Sequence, residues 1–167
     1  MFKEGELVMY GGMGVCRVSK IGRPDFAEED DTTLFYFLEP LYRSGLFYAP
    51  VDSDKISIRK VISKKEAKKL LDGLEDIEWE IYSNTSIQQL SQHYQSIIDR
   101  HDCKDLLSLT KSIMEKGVNA QKNNKKLGQI DKRFMKKAED LLYGEFAAAL
   151  DLDIAKVEEL IKGKLQS

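Results

Sequence analysis

Along residues 1–62 the apolar positions fall in short runs cut by turn residues. Leu7-Val8-Met9-Tyr10 stops at Gly11-Gly12, and Val15-Cys16-Arg17-Val18-Ser19-Lys20-Ile21 alternates before stopping at Gly22-Arg23-Pro24. Apolar runs at 34–38, 46–51 and 55–58 follow. Short runs rich in Val, Ile, Tyr and Phe, bounded by Gly or Pro, are the pattern of strands. Five of them in so short a stretch predict a small, strongly bent sheet or an SH3/Tudor-like β-barrel. Residues 25–31, with Glu28-Glu29-Asp30-Asp31, read as an acidic loop between the second and third strands.

After Ile62 the period becomes helical. Ser63 and Glu66 form a capping box, in which the serine oxygen takes a free backbone N–H and the glutamate reaches back. Ala67, Leu70, Leu71 and Leu74 then share one face. Further stripes are Ile87, Leu90, Tyr94, Ile97, Ile98, then Cys103, Leu106, Leu107, Thr110, Ile113, Met114. Ile130, Phe134, Ala138, Leu141, Leu142 and finally Ile154, Val157, Ile161, Leu165 complete the series. Each follows the i, i+3, i+4, i+7 spacing of an amphipathic helix. Gly117 and Asn119 to Asn124 are expected to loosen the end of the third of these helices. The pattern predicts an α+β chain of two domains, a β-barrel over 1–62 and a helical bundle over 63–167.

Candidate chemistry is sparse. The chain has 167 residues, 42% of them apolar and 32% charged, a globular composition with room for one or two domains. No run of about 18 apolar residues marks a membrane span. Met1-Phe2-Lys3-Glu4-Gly5-Glu6 has two acids and no apolar core, unlike a secretory leader. Cys16 and Cys103 lack a CxxC partner and read as reduced thiols of a cytoplasmic protein. His93 and His101 miss the i, i+4 spacing that puts two ligands on one helical face. His101-Asp102-Cys103 holds the residue types of a triad, but neighbours on a helix point in different directions. Gly11-Gly12-Met13-Gly14 lacks the Lys-Ser/Thr of a phosphate loop and leads into a strand, so it reads as a tight hairpin. The expectation is a protein that is not an enzyme, with no catalytic residue, metal, cofactor or small-molecule substrate.

Charge placement says more than the net charge of −2. Between Lys111 and Lys137 stand nine bases, Lys111, Lys116, Lys122, Lys125, Lys126, Lys132, Arg133, Lys136 and Lys137, against Glu115 and Asp131 alone. Lys122, Lys125 and Lys126 have the spacing of one helical face, as do Lys132 with Lys136 and Arg133 with Lys137. A basic helix–loop–helix holds phosphate backbones through counterion release. The other reading of the same run is a solvated lysine-rich surface.

Two sets of residues carry a resemblance. Phe2-x2-Gly5-x2-Val8-x-Tyr10-x3-Gly14-Val15, Tyr36-x-Leu38 and Tyr48-Ala49-Pro50-Val51 resemble the RNA-polymerase-interacting domain shared by CarD-type bacterial transcription regulators and transcription-repair coupling factors. Residues 131–147, from Asp131-Lys132-Arg133-Phe134 onward, and Asp102-x2-Asp105-Leu106 resemble the CarD-type helical domain. No helicase follows within these residues, so the reading is the regulator rather than the coupling factor.

The resemblance implies a transcription regulator. Its β domain would bind the RNA polymerase β subunit by pairing an exposed strand edge, with contacts near Arg23, Pro24, Phe47 and Tyr48. Phe47 and Tyr48 serve either the contact or the core, and alternation turns one of the two outward. The helical domain would lie on promoter DNA at the upstream edge of the melted bubble, on backbone and minor groove, and modulate open-complex stability. Lys132 and Arg133 fall at the family's DNA-contacting positions, with Lys122, Lys125, Lys126 and Lys136 beside them. The family's minor-groove tryptophan falls here at Ser86 or Ile87, and its following basic pair at Gln88 and Gln89. Ile87 can still unstack a base step, though with less contact area and less charge. Trp79 is then a core or hinge residue, or a displaced wedge. The competing function is a protein–protein adaptor that uses the barrel alone and never touches DNA.

Overall fold

Gly14 has φ 85°, a backbone conformation that glycine adopts without strain. This lets β1 (Leu7–Tyr10) pass through one 3₁₀ turn at Gly11–Met13 into β2 (Gly14–Gly22). The glycine cluster is therefore a hairpin connection, as its residues predict. The strands β3 (Phe35–Pro40), β4 (Phe47–Pro50) and β5 (Ile58–Lys60) complete an antiparallel sheet in the order β4-β3-β2-β1-β5. The computed structural model describes residues 1–54 and 57–166, and the chain divides into two compact units, Met1–Val61 and Ile62–Ser167. Of the predicted fifth strand, Lys55 and Ile56 lie outside the described residues, and the strand itself runs from Ile58.

One residue sets the phase of the sheet. Val18 pairs with Leu38 and Lys20 with Phe37, which leaves Ser19 as an extra residue in β2. The Ser19 hydroxyl donates to the Phe37 carbonyl at 3.2 Å. Such a bulge shifts the alternation by one residue and bends the strand. Cys16 and Val18 enter the core before it, and Ile21 rejoins the core after it. Val8, Tyr36, Leu38 and Ala49 complete the buried cluster, with Phe2, Tyr10, Phe47, Val51 and Ile58 packed against it.

The α+β class stands, but the sheet is not closed, which corrects the barrel. Its edges β4 and β5 have four and three residues. Closure needs the two edge strands to pair around a ring, and among the described residues β4 and β5 do not pair with each other.

The second unit has five helices: α1 (Lys64–Asp72), α2 (Ile87–Asp99), α3 (Cys103–Lys122), α4 (Gln129–Leu150) and α5 (Ile154–Leu165). Three start on a side-chain cap, each taking a backbone N–H three residues on: Ser63 from Glu66, Ser86 from Gln89 and Asp102 from Asp105. The apolar stripes meet in a core that includes Leu90, Tyr94, Ile98, Leu107, Ile113, Phe134, Leu142, Phe146, Ile161 and Leu165. Two departures appear. α3 runs unbroken through Gly117 and Asn119 to Lys122, so these residues do not loosen it. Ile87, the first residue of the α2 stripe, is 67% exposed. Within α4, Glu145 is fully buried and accepts the Ile62 N–H at 3.0 Å.

α4 ends at Asp151, which has φ 53° and ψ 50° in the left-handed region. A residue with a Cβ is strained there by about 1 kcal/mol relative to glycine. Asp151→Gly is therefore expected to raise the melting temperature of the helical unit by a few degrees, measured by circular dichroism. A lower melting temperature would show that the aspartate side chain contributes more than its backbone strain costs.

Candidate functional site

The residues singled out from sequence fall into two groups, one in each unit. In the sheet unit, alternation through β4 separates Phe47 from Tyr48. Phe47 packs against the core and near Tyr10, with ring centroids 6.3 Å apart. Tyr48 stands on the opposite face, where its ring meets Phe37 at 4.9 Å and Phe26 at 5.0 Å, both edge-on. Of the two, Tyr48 is thus the outward residue.

β4 is also an open edge. The Val51 N–H donates to the Leu34 carbonyl at 2.9 Å, so Val51, Ala49 and Phe47 turn their main-chain groups toward β3. Tyr48 and Pro50, between them, turn theirs away from the sheet. The edge therefore presents the Tyr48 N–H and C=O, while the Pro50 C=O takes a turn bond from the Ser53 N–H at 3.4 Å. Unpaired ladder groups of this kind are what an incoming strand bonds to.

Arg23 and Pro24 sit where β2 leaves the sheet. Pro24 is buried, and its carbonyl accepts a turn bond from the Ala27 N–H at 3.0 Å. Arg23 is exposed, and its guanidinium donates to the Glu28 carbonyl across the acidic loop. Asp31 closes that loop by accepting from the Thr33 N–H at 2.9 Å, and hydrogen bonds from Thr33 hold its carboxyl below the usual range. Phe26, in this loop, was not singled out by sequence as a site residue. The signal was present, since it is an aromatic residue among acids with no apolar neighbour pattern to place it in a strand.

In the helical unit the basic segment divides. Lys122 ends α3, Asn123 caps it and Asn124 has φ 56°, so Lys125 and Lys126 lie in the connection to α4. These three lysines are exposed but do not share a helical face, because the left-handed turn at Asn124 ends the helix first. Lys132, Arg133, Lys136 and Lys137 do share a surface, lining an open depression of about 590 Å³ with Gln129, Ile130 and Asp140. Arg133 and Lys137 each place their charge 5.0 Å from the Phe134 ring centroid. Lys136 pairs with Asp140 at 3.4 Å on the surface, worth little in water.

Two of the nine bases turn inward instead. Lys111 pairs with Glu115 at 2.8 Å, donates to the Leu165 carbonyl and lies 5.8 Å from the Trp79 ring centroid. Lys116 pairs with buried Asp131 at 2.9 Å and also donates to the Tyr82 carbonyl at 3.1 Å. The Tyr94 hydroxyl donates to the same Asp131 oxygen at 2.5 Å. Burial first, then Asp131, pushes the Tyr94 hydroxyl well above the ordinary tyrosine range, so it stays a donor.

Ser86 caps α2, and Ile87, Gln88 and Gln89 form its exposed first turn. Gln89 accepts from the Asn84 side-chain amide at 2.7 Å, while Asn84 accepts from the Ser86 N–H at 2.8 Å. Trp79 is 42% exposed, in the segment that precedes α2. Among the described residues no group of three or more His, Cys, Asp and Glu is placed to hold a metal. Nor is any helix long and apolar enough to cross a membrane. Cys16 and Cys103 are both buried, and burial pushes the Cys16 thiol up to about 11. His101, at φ 50°, joins α2 to α3, and Asp102 caps α3.

Residues 2–62 match the family described as the CarD-like/TRCF RID domain. The sheet unit therefore matches a family of RNA-polymerase-interacting domains, which supports a transcription-associated interaction. The match ends at residue 62, before α1. No curated protein matches the chain.

The Lys116–Asp131 pair tests the helical unit directly. Lys116→Met strands a buried carboxylate and is expected to cost about 3–5 kcal/mol in urea unfolding. A cost below about 1 kcal/mol would show that Tyr94 alone satisfies Asp131. His93 stacks on Tyr82, centroids 3.7 Å apart, and burial followed by the Arg100 charge lowers its pKa. The unfolded chain then takes up that proton first as pH falls. The His93 contribution is full above about pH 6.5 and is lost below it. The urea midpoint should drop on acidification through that value, and His93→Gln should flatten the drop; an equal drop in the variant would assign it to other groups.

Proposed function

We propose that the chain is a non-enzymatic transcription regulator that holds the RNA polymerase β subunit and promoter DNA at once. The polymerase contact is strand addition at β4. What supports it is the conjunction of the RID-domain match with an open edge whose available outward main-chain groups are those of Tyr48. The DNA contact uses Lys132, Arg133, Lys136 and Lys137 on phosphates, with Lys122, Lys125 and Lys126 beside them. Exposed Ile87, flanked by Gln88 and Gln89, supplies the minor-groove wedge. Binding the upstream edge of the bubble in this way stabilises the open complex, in the bacterial cytoplasm where the polymerase works.

A second reading is favoured by specific residues. The α2 start has isoleucine and two glutamines where the CarD-type domain has tryptophan and a basic pair, and Lys111 and Lys116 are committed within the unit. On that reading the chain is an adaptor that binds polymerase without touching DNA.

Titration of the full chain against core polymerase and against the polymerase–promoter complex separates these. Tyr48→Pro, which removes the outward N–H of β4, is expected to abolish polymerase binding; unchanged binding would overturn strand addition there. In the promoter complex, Lys132→Glu with Arg133→Glu should weaken binding and reduce the dependence on log salt by about two phosphate contacts. An unchanged salt slope would leave the adaptor.

A further inference from the structure

Phe26 is 64% exposed, yet it is held in a defined place. Its ring stands edge-on to Tyr48 at 5.0 Å and 88°, and to Phe35 at 6.0 Å and 77°. Tyr48 in turn meets Phe37 edge-on at 4.9 Å. The four rings form an apolar patch on the outer face of the sheet, and the patch reaches the open edge at Tyr48. A large exposed aromatic at the border of a strand-pairing edge has the composition and position of an interface anchor.

The loop that carries Phe26 is fastened from within. Arg23 donates to the Glu28 carbonyl, the Ala27 N–H to Pro24, and the Asp31 N–H to Glu28 at 3.0 Å. Arg23 therefore spends its planar donor group on the chain's own backbone, spanning the turn in which Phe26 sits.

We propose that Phe26 is an anchor residue of the polymerase contact, enclosing with Tyr48 one apolar side chain of the strand that adds to β4, and that Arg23 is a positioning residue for Phe26. This deepens the polymerase reading and rests on it. A strand bonded to Tyr48 runs about 4.8 Å away. Its residue opposite Tyr48 lies with its Cβ about 5 Å from that of Tyr48, on the face of the sheet that carries the Phe26 ring. Burying that ring against it recovers apolar surface that is open to water in the free chain.

The test is a double-variant cycle on the full chain binding core RNA polymerase, with Phe26→Ala, Arg23→Ala and both together. Circular dichroism confirms that each variant is folded. Phe26→Ala should weaken binding about tenfold or more. Arg23→Ala should weaken it too, the double variant should be no weaker than the worse single one, and none should change the salt slope. Wild-type affinity in Phe26→Ala overturns the anchor. Multiplying losses together with a flattened salt slope in Arg23→Ala overturn the positioning role, because they mark a direct ionic contact. A native chain that does not bind core polymerase overturns the polymerase reading and this inference with it.

Discussion

The ion pair between Lys116 and Asp131 is the constraint on which the helical unit is arranged. Taking both charges out of water is expensive and is offset only where further hydrogen bonds complete the pair. Here the Tyr94 hydroxyl and the Tyr82 carbonyl supply them. One ammonium group thereby joins α3, the first turn of α4, the α2 core tyrosine and the extended segment ahead of α2. The next two residues after Asp131 are Lys132 and Arg133, so the basic face begins one residue beyond a fixed point. A base is removed from the surface so that others are held in register on it.

In the sheet unit the corresponding device is a single unpaired residue. Ser19 shifts β2 by one position, which lets Ile21 return to the core although it lies an odd number of residues after Val18. With β3 and β4 in simple alternation, Tyr36, Leu38 and Ala49 face inward. Phe37 and Tyr48 are left together on the other face. The aromatic richness of this unit thus serves two surfaces: a core packed by Tyr10, Tyr36 and Phe47, and an outer patch beside the edge.

Much of this was legible in the residues. The strand runs, the glycine hairpin, the Ser63 cap and the helical stripes rest on local periodicity and local chemistry, which the sequence displays directly. Sheet closure was not legible, because it depends on strand length and stagger between distant segments. The face assignment of Phe47 and Tyr48 needed the register with β3. The spacing of Lys125 and Lys126 alone predicts a helix, and the left-handed Asn124 ends that helix before them. In the sequence Lys111 and Lys116 are indistinguishable from the rest of the basic run, because their partners Leu165, Tyr82 and Asp131 lie far along the chain. Buried Glu145 carries no sequence signal at all: an acid on an apolar stripe is interpretable only once the Ile62 N–H is seen to meet it.

Pro50 has a bearing on how the free protein survives. Exposed strand edges invite copies of the same chain to stack into extended sheet, and a continuous ladder needs an N–H from every second residue. Within β4 the alternate positions facing out are Tyr48, which has one, and Pro50, which has none. A second copy meeting this edge finds one donor and then an imino ring. Such a socket is long enough to seat a partner whose side chains fit around it, and too short to propagate a fibre.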